Sequence, residues 1–406
     1  MLISMTSKIT KMLMLTALLM VVVIPASVYA VDSHTSQNRT PEGNIGKVAD
    51  GTFDERLALA KLDYLMRDQI DRGVSHETEI QNIETEYQKL YQMDSNLRME
   101  YQQLADILTE KMEIHHSDQK KSVQERMSEL PIIGIGVSGK TKSLDITLDE
   151  DYVTEADIPK WEKQIKNMVS RSDVPITIRI SAAPTLDSHT SNRETTTVDP
   201  LKGGASVGFM DGTNNITCSV GYYAKEGGSN DLGFVSAGHC TQLTGYGQTG
   251  INVHQPVATT TNNIAVVDKE QYSSSTYCDC SWNEFNTGES GVAKTMYSLT
   301  SDFPVTSQYT ITSNSEGLAV YKSGAKTGYS VGVIDLWQTT IYIPSENATL
   351  KNVVRNTYTA QGGDSGGAVM RLNGIAGIHV AHDASYTYAV TVSRTNAYLG
   401  VAPVFS

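Results

Sequence analysis

The chain has 406 residues, with 45 acidic against 32 basic side chains and a formal charge of −13. That length exceeds one typical domain and predicts two or more folding units. An acidic excess of this size argues against nucleic acid as a partner. At the N-terminus, Lys8 and Lys11 precede an apolar run over residues 12–24, then Pro25, and Val28-Tyr29-Ala30 puts small residues at the two positions a signal peptidase reads. This predicts a signal peptide over 1–30, cut after Ala30, and so a secreted, extracellular protein with no membrane anchor after cleavage. The competing reading is an anchor, but the run is too short to cross about 30 Å of hydrocarbon comfortably. Residues 31–51 are polar and aperiodic, a flexible leader. From 53 to 130, Leu57, Leu62, Leu65, Ile80, Ile83, Leu90, Leu97, Leu104, Leu108 and Met112 recur near helical spacing among many charges, predicting two or three long amphipathic helices. His115 and His116 lie in a charged stretch and are expected to be solvated. Residues 132–137 and 144–148 read as strands, followed by a helix from about Ile158 with Trp161, Ile165, Met168 and Val169 on one face and Asp157 as N-cap. Residues 176–180 read as a third strand, which completes a ββαβ unit over 132–180. Residues 181–200, rich in Ser, Thr and Asn with two prolines, read as an exposed linker. After Leu201, short alternating runs separated by turn residues predict an all-β barrel or sandwich.

The chemistry concentrates in that last part. Ala237-Gly238-His239-Cys240 precedes Gly362-Gly363-Asp364-Ser365-Gly366-Gly367. A serine hydroxyl is a poor nucleophile unless a base lies within hydrogen-bond reach and amides hold the oxyanion that forms on attack. Glycines on both sides of Ser365 allow an amide-exposing turn. The same glycines fit the G-x-S-x-G elbow of α/β-hydrolases, but there the acid and histidine follow the serine and a helix leaves the elbow. Here the histidine comes first, and residues 368–374 read as a strand running into a turn. The order is that of a chymotrypsin-like triad, with His239 as general base and Ser365 as nucleophile. Two segments compete for the acid. Asn262-Asn263 stands before the apolar residues 264–267, with Asp268 at the far end of that strand, and Cys278-Asp279-Cys280-Ser281-Trp282 follows. The amides of Gly363 and Ser365 are the candidate oxyanion hole. Four cysteines, all between 218 and 280, suit an oxidising compartment and allow three pairings. Two thiols one residue apart, with no second pair, make a poor zinc site. No metal or cofactor is expected.

Cys218-Ser219-Val220-Gly221-Tyr222, residues 233–240 and residues 362–367 together resemble the streptogrisin and α-lytic-protease branch of chymotrypsin-like serine peptidases over roughly 201–406. The resemblance implies an all-β protease domain of two antiparallel six-stranded β-barrels with the active site between them. It also implies protein or peptide substrates and a Cys218–Cys240 disulfide, which leaves Cys278 and Cys280 either bridged or both reduced. Asp279 matches the acid pattern of the branch. Asp364 is expected to point away from the nucleophile towards a buried cation, for which Lys322 in Lys322-Ser323-Gly324 occupies the matching place. The ββαβ unit resembles the small α/β pro-region of such proteases. Residues 31–200 then become a pro-region acting as folding aid and inhibitor, with maturation in the linker and Leu201-Lys202-Gly203-Gly204 near the mature start. Gly377-Ile378-His379 resembles the specificity-pocket strand of glutamyl endopeptidases. His379, with Val380, Ala381 and His382, is the candidate substrate-binding set and predicts preference for Glu before the scissile bond. The competing reading is a histidine satisfied by neighbouring backbone, and His382 either adds a donor or blocks the pocket. A catalytically inert protease-fold binding protein and an esterase using the same triad are the alternative functions. Asn215 and Asn347 fit the N-glycosylation pattern or are simply turn residues.

Overall fold

A computed structural model describes residues 53–186, 195–211, 214–242, 247–258 and 261–406. The chain divides into two units, Met1–Gly43 and Asn44–Ser406, and every described residue belongs to the second. The expected signal peptide, the leader and residues 187–194 of the linker lie outside the described residues. No helix among the described residues is long and apolar enough to cross a membrane.

The amphipathic stretch forms four helices, three of them long: α1 Glu55–Arg72, α2 Glu77–Leu90, α3 Ser95–His116 and the short α4 Val123–Glu129. Asp54 starts α1 by accepting from the amides of Arg56 and Leu57, and Gly73 ends it in the left-handed region at φ 66°. Leu62, Leu65, Ile80 and Ile83 of α1 and α2 share one core with Val333, Ile341 and Leu350 of the β body. Leu104, Leu108 and Met112 of α3 pack instead with Ile133, Ile135 and Ile146. The expectation for His116 is overturned. It is 2% exposed, and its ring stacks on Tyr342 with centroids 4.1 Å apart. Burial lowers its pKa to about 4, because the last turn of α3 ends on the β body rather than in water. His115 is half-buried, with Nε2 2.9 Å from the Arg126 carbonyl.

The ββαβ unit is present. Ile132–Ser138 pairs antiparallel with Ser143–Asp149, which pairs parallel with Ile176–Ser181 across the crossover helix α5 Ile158–Met168. Trp161 and Ile165 are the buried face of α5. Asp157 does not cap α5 with its own side chain; it reaches back to the Thr154 amide in a capping box one turn earlier. Ile132–Ser138 then pairs antiparallel with Gly328–Ile343, so the three strands extend a sheet of the β body. Gly136 permits the approach: a Cβ there would lie 2.8 Å from Leu336 Cδ1.

The rest is mostly β. One sheet is an eight-stranded antiparallel path in the order Val401–Pro403, Tyr222–Glu226, Leu232–Ser236, Cys280–Phe285, Asn263–Gln271, Asn252–His254, Ser206–Asp211, Asn214–Ser219. In the twelve-stranded sheet, Ala348–Asn356, Thr387–Thr391, Gly374–His382, Ala368–Arg371, Ala319–Gly324 and Gly328–Ile343 close on themselves as an antiparallel ring of six. Among the described residues the strand count therefore departs from two matched six-stranded barrels: one ring of six faces an open path of eight.

Residues before the linker hold the β body through buried or half-buried ion pairs. Arg98 forks onto Glu316 at 2.8 and 3.0 Å, Arg371 onto Glu84 at 2.8 and 3.0 Å, and Arg355 bridges Asp145 and Asp335. Arg179 reaches Asp383 at 3.2 Å. Burial pushes the Glu316 carboxyl up to about 7 against the opposing pull of Arg98.

Candidate active site

His239, Asp279 and Ser365 come together between the two sheets. The strand Leu232–Ser236 ends two residues before the single turn His239–Thr241, which carries the imidazole. Asp279 stands immediately before the neighbouring strand Cys280–Phe285. Ser365 arrives from the other sheet, in the loop before Ala368–Arg371. His239 Nδ1 lies 2.6 Å from Asp279 Oδ2, while the other oxygen of Asp279 accepts from the His239 amide at 2.8 Å. A carboxylate only accepts, so Nδ1 carries the proton and Nε2, 2.8 Å from Ser365 Oγ, is the acceptor. All three residues are buried, and the Tyr272 ring meets His239 edge-on. Asp268, the competing acid, is exposed.

The loop carrying Ser365, the candidate nucleophile, is fixed from several sides. Gly363 and Gly366 sit at φ 98° and 82°, a region that favours glycine. A Cβ on Gly366 would also lie 2.4 Å from the Ser219 carbonyl. Ser219 clamps the loop across the sheets: its amide donates to the Ser365 carbonyl and its hydroxyl to the Gly363 carbonyl, each at 2.7 Å. Sequence reasoning used Ser219 only as part of a motif and missed this role. Asp364 turns away from the site to the Lys322 ammonium at 2.8 Å, both side chains being fully buried. It also accepts from the amides of Gln361, Lys326 and Thr327 and from the Thr327 hydroxyl. Burial alone would push this carboxyl up, but Lys322 and these donors outweigh it and hold it below the ordinary range.

Cys218 is bonded to Cys240, and Cys278 to Cys280. Cys218, His239 and Cys240 place three donor atoms within 4.8 Å, yet both sulfurs are consumed in the bridge, so no thiolate is available to a metal.

The candidate specificity strand Gly374–His382 is tied to the Ser365 loop: Gly366 donates to the His379 carbonyl, and the His379 amide to the Gly367 carbonyl, both at 2.8 Å. His379 is fully buried, with Nδ1 3.3 Å from the Tyr358 hydroxyl. A cavity of about 450 Å³ beside it is lined by Tyr358, Ala360, Gln361 and His382, and also by Ala182 and Thr185 from before the linker. His379 thus stands behind Tyr358 and is not among the residues lining this cavity, while His382 lines it. Ala381 and His382 pair antiparallel with Leu186 and Thr185, so the edge of the strand is already occupied by the chain's own linker segment.

No protein-family model matches the chain. Over 170 residues it is 28% identical to streptogrisin-C of Streptomyces griseus, a match covering 41% of this chain and 32% of that protein. Over 167 residues it is 27% identical to serine protease 1 of Streptomyces fradiae, covering 40% of each. The chain thus spans well under half the length of these curated relatives. Among solved structures, Cellulomonas bogoriensis chymotrypsin aligns with 20% identity and a TM-score of 0.40 over 50% of this chain and 98% of its own. A glutamic-acid-specific serine protease described as using a histidine triad in substrate binding aligns with 22% identity and a TM-score of 0.41, over 50% of this chain and 100% of its own. Motifs and curated relatives agree that this chain is similar to the chymotrypsin-like serine peptidases of the streptogrisin branch.

Proposed function

We propose that the chain is a secreted serine endopeptidase made as a pro-enzyme, and that His239, Asp279 and Ser365 are its catalytic triad. The observation that carries the reading is the continuous relay from Asp279 through both imidazole nitrogens to the Ser365 hydroxyl. His239 Nε2 takes the Ser365 proton as Oγ attacks the scissile carbonyl, and Asp279 stabilises the imidazolium and fixes its tautomer. The amides of Gly363 and Ser365 hold the oxyanion, a contribution of about 3 kcal/mol per donor. His239 returns the proton to the leaving amine, and water then releases the acyl-enzyme by the same route.

Residues 1–30 are the export signal in this reading and 31–200 the pro-region, folding aid and inhibitor of the domain over 201–406. Support comes from the pairing of Thr185 and Leu186 with His382 and Ala381, which occupies a strand edge a substrate would use. For specificity, preference for Glu rests on Tyr358 and His382 facing the cavity, with His379 backing the Tyr358 hydroxyl. Fluorophosphonate labelling of the secreted protein, followed by digestion of a protein substrate, tests the assignment. Labelling lost in Ser365→Ala together with peptide-bond cleavage supports it. Absence of labelling favours an inert binding protein, and labelling with ester but no peptide turnover favours an esterase.

A further inference from the structure

Cys278 and Cys280 are bonded to each other across Asp279, which makes the acid the middle residue of a small covalent ring. Both sulfurs and the carboxylate are fully buried. A bridge closing so short a loop restricts the unfolded chain little, so its main consequence is local to the backbone that carries the acid. The two sides of that backbone are held unequally. Cys280 opens the strand Cys280–Phe285 and pairs with Gln271. Gly238 backs onto it so closely that a Cβ would lie 2.9 Å from Cys280 N. Cys278 instead ends a loop that leaves the eight-stranded sheet after Gln271 and touches the other sheet through Ser275–Thr276 before returning. It is held by the Thr276 hydroxyl, which accepts from its amide at 3.1 Å and donates to its carbonyl at 2.9 Å. The loop also leans on α3, where Ser275 donates to Glu113 at 2.6 Å.

We propose that the Cys278–Cys280 bridge is a positioning clamp for Asp279. It carries the order of the strand Cys280–Phe285 across the acid to Cys278 and keeps both carboxylate oxygens on His239. The clamp rests on the triad reading, and it matters most once the residues before the linker, with their Glu113 contact, have been removed. Both bonds to His239 depend on the direction of the carboxylate as well as its distance, so a small swing of the Asp279 backbone lengthens both at once. The groups facing this pair are Ser365, the edge of Tyr272, and Glu270 from the neighbouring strand Asn263–Gln271.

The test is the double variant Cys278→Ala/Cys280→Ala, expressed as the full chain, with the Cys218–Cys240 bridge checked by peptide mapping. The expected result is a fall in kcat of about 10- to 100-fold with KM little changed, as for a small misplacement of a catalytic group. The acid limb of the kcat profile moves to lower pH, because the imidazolium loses part of its carboxylate partner. In an Asp279→Asn background, removing the bridge adds little further loss, since the clamped group is already gone. Unchanged kcat and pH profile overturn the clamp, as does an equal loss in the Asp279→Asn background, which would mark a general folding role. If the double variant does not accumulate, reversible reduction of the wild-type protein replaces it. Turnover lost on reduction at 278 and 280 and regained on reoxidation supports the clamp, and full turnover of the reduced protein overturns it. Full turnover of Asp279→Asn alone removes the triad reading itself, a result distinct from failure of the clamp.

Discussion

Lys322→Met isolates what the buried cation does beneath the Ser365 loop. Lys322 and Asp364 are both fully buried at 2.8 Å, and Lys322 also touches the Thr327 hydroxyl. Removing one partner of such a pair leaves an uncompensated charge and costs about 3–5 kcal/mol. The three amides and one hydroxyl already on Asp364 place the expected loss near the lower figure. The pH dependence separates this cause from simple loss of packing. In the wild type, the Asp364 carboxyl is held below its ordinary range, so its contribution to stability is present above that range and is lost as pH falls through it. Without Lys322, burial dominates and raises the carboxyl above its unfolded value. The folded variant then binds the extra proton, and its stability rises as pH falls. The gap between wild type and variant therefore narrows on acidification. Urea denaturation of the full chain in a Ser365→Ala background, which removes self-digestion, measures that gap at about pH 8 and about pH 5. A gap of the same size at both values refutes the argument, because a packing loss does not titrate.

Asp279→Asn is expected to lower kcat about 10⁴-fold with folding intact, while Asp268→Asn, at an exposed position, leaves it unchanged; steady-state kinetics showing the reverse would move the acid to Asp268. Ser365→Ala purified away from other proteases should retain residues 31 to about 200, and mass spectrometry finding normal-length mature protein would end the self-processing proposal. His379→Ala should strongly reduce preference for Glu in a peptide library, because the Tyr358 hydroxyl loses its buried partner; an unchanged preference assigns the pocket to other residues. Arg98→Ala should destabilise the full chain more at about pH 8 than at about pH 5, since Glu316, already pushed up to about 7 by burial, is costly to bury only when charged. Equal losses at the two pH values in thermal unfolding would contradict that reasoning.

What the sequence made legible follows the range over which each constraint acts. The glycines around Ser365 answer to backbone conformation at their own positions, so the tight turn at Ser365 could be read from six consecutive residues. The helices and the ββαβ unit were equally readable, because the period of apolar residues is a property of the element itself. His116 was misread for the complementary reason. A charged neighbourhood along the chain says nothing about Tyr342, which stacks on it from the far side of the linker. Arg98 and Glu84 look in sequence like ordinary polar helix positions, yet each meets its partner more than 200 positions away. The same limit applies to the sheets. Residues 132–137 were readable as a strand, but not that its edge would be taken by Gly328–Ile343.

The acid loop lies between these extremes. The expectation for Asp279 came from its resemblance to the acid pattern of the branch, and the cysteines on either side were an anomaly in that pattern. Bridged to each other, they become part of how the acid is held. His239 is set by the single turn that follows Leu232–Ser236 and Ser365 by its own glycines, but Asp279 returns from a loop that has crossed to the other sheet. The member of the proposed triad that comes from that crossing loop is the one enclosed by a covalent ring, and a second bridge, Cys218–Cys240, sits directly beside His239. The two disulfides thus fall beside His239 and Asp279, the two members of the proposed triad on the side of the eight-stranded sheet. Ser365, on the other sheet, is held by hydrogen bonds from Ser219 and by the Lys322–Asp364 pair beneath it. The two sides of the cleft are therefore tied to each other outside the relay as well, by Ser219 reaching the Ser365 loop and by Ser275–Thr276 reaching the other sheet.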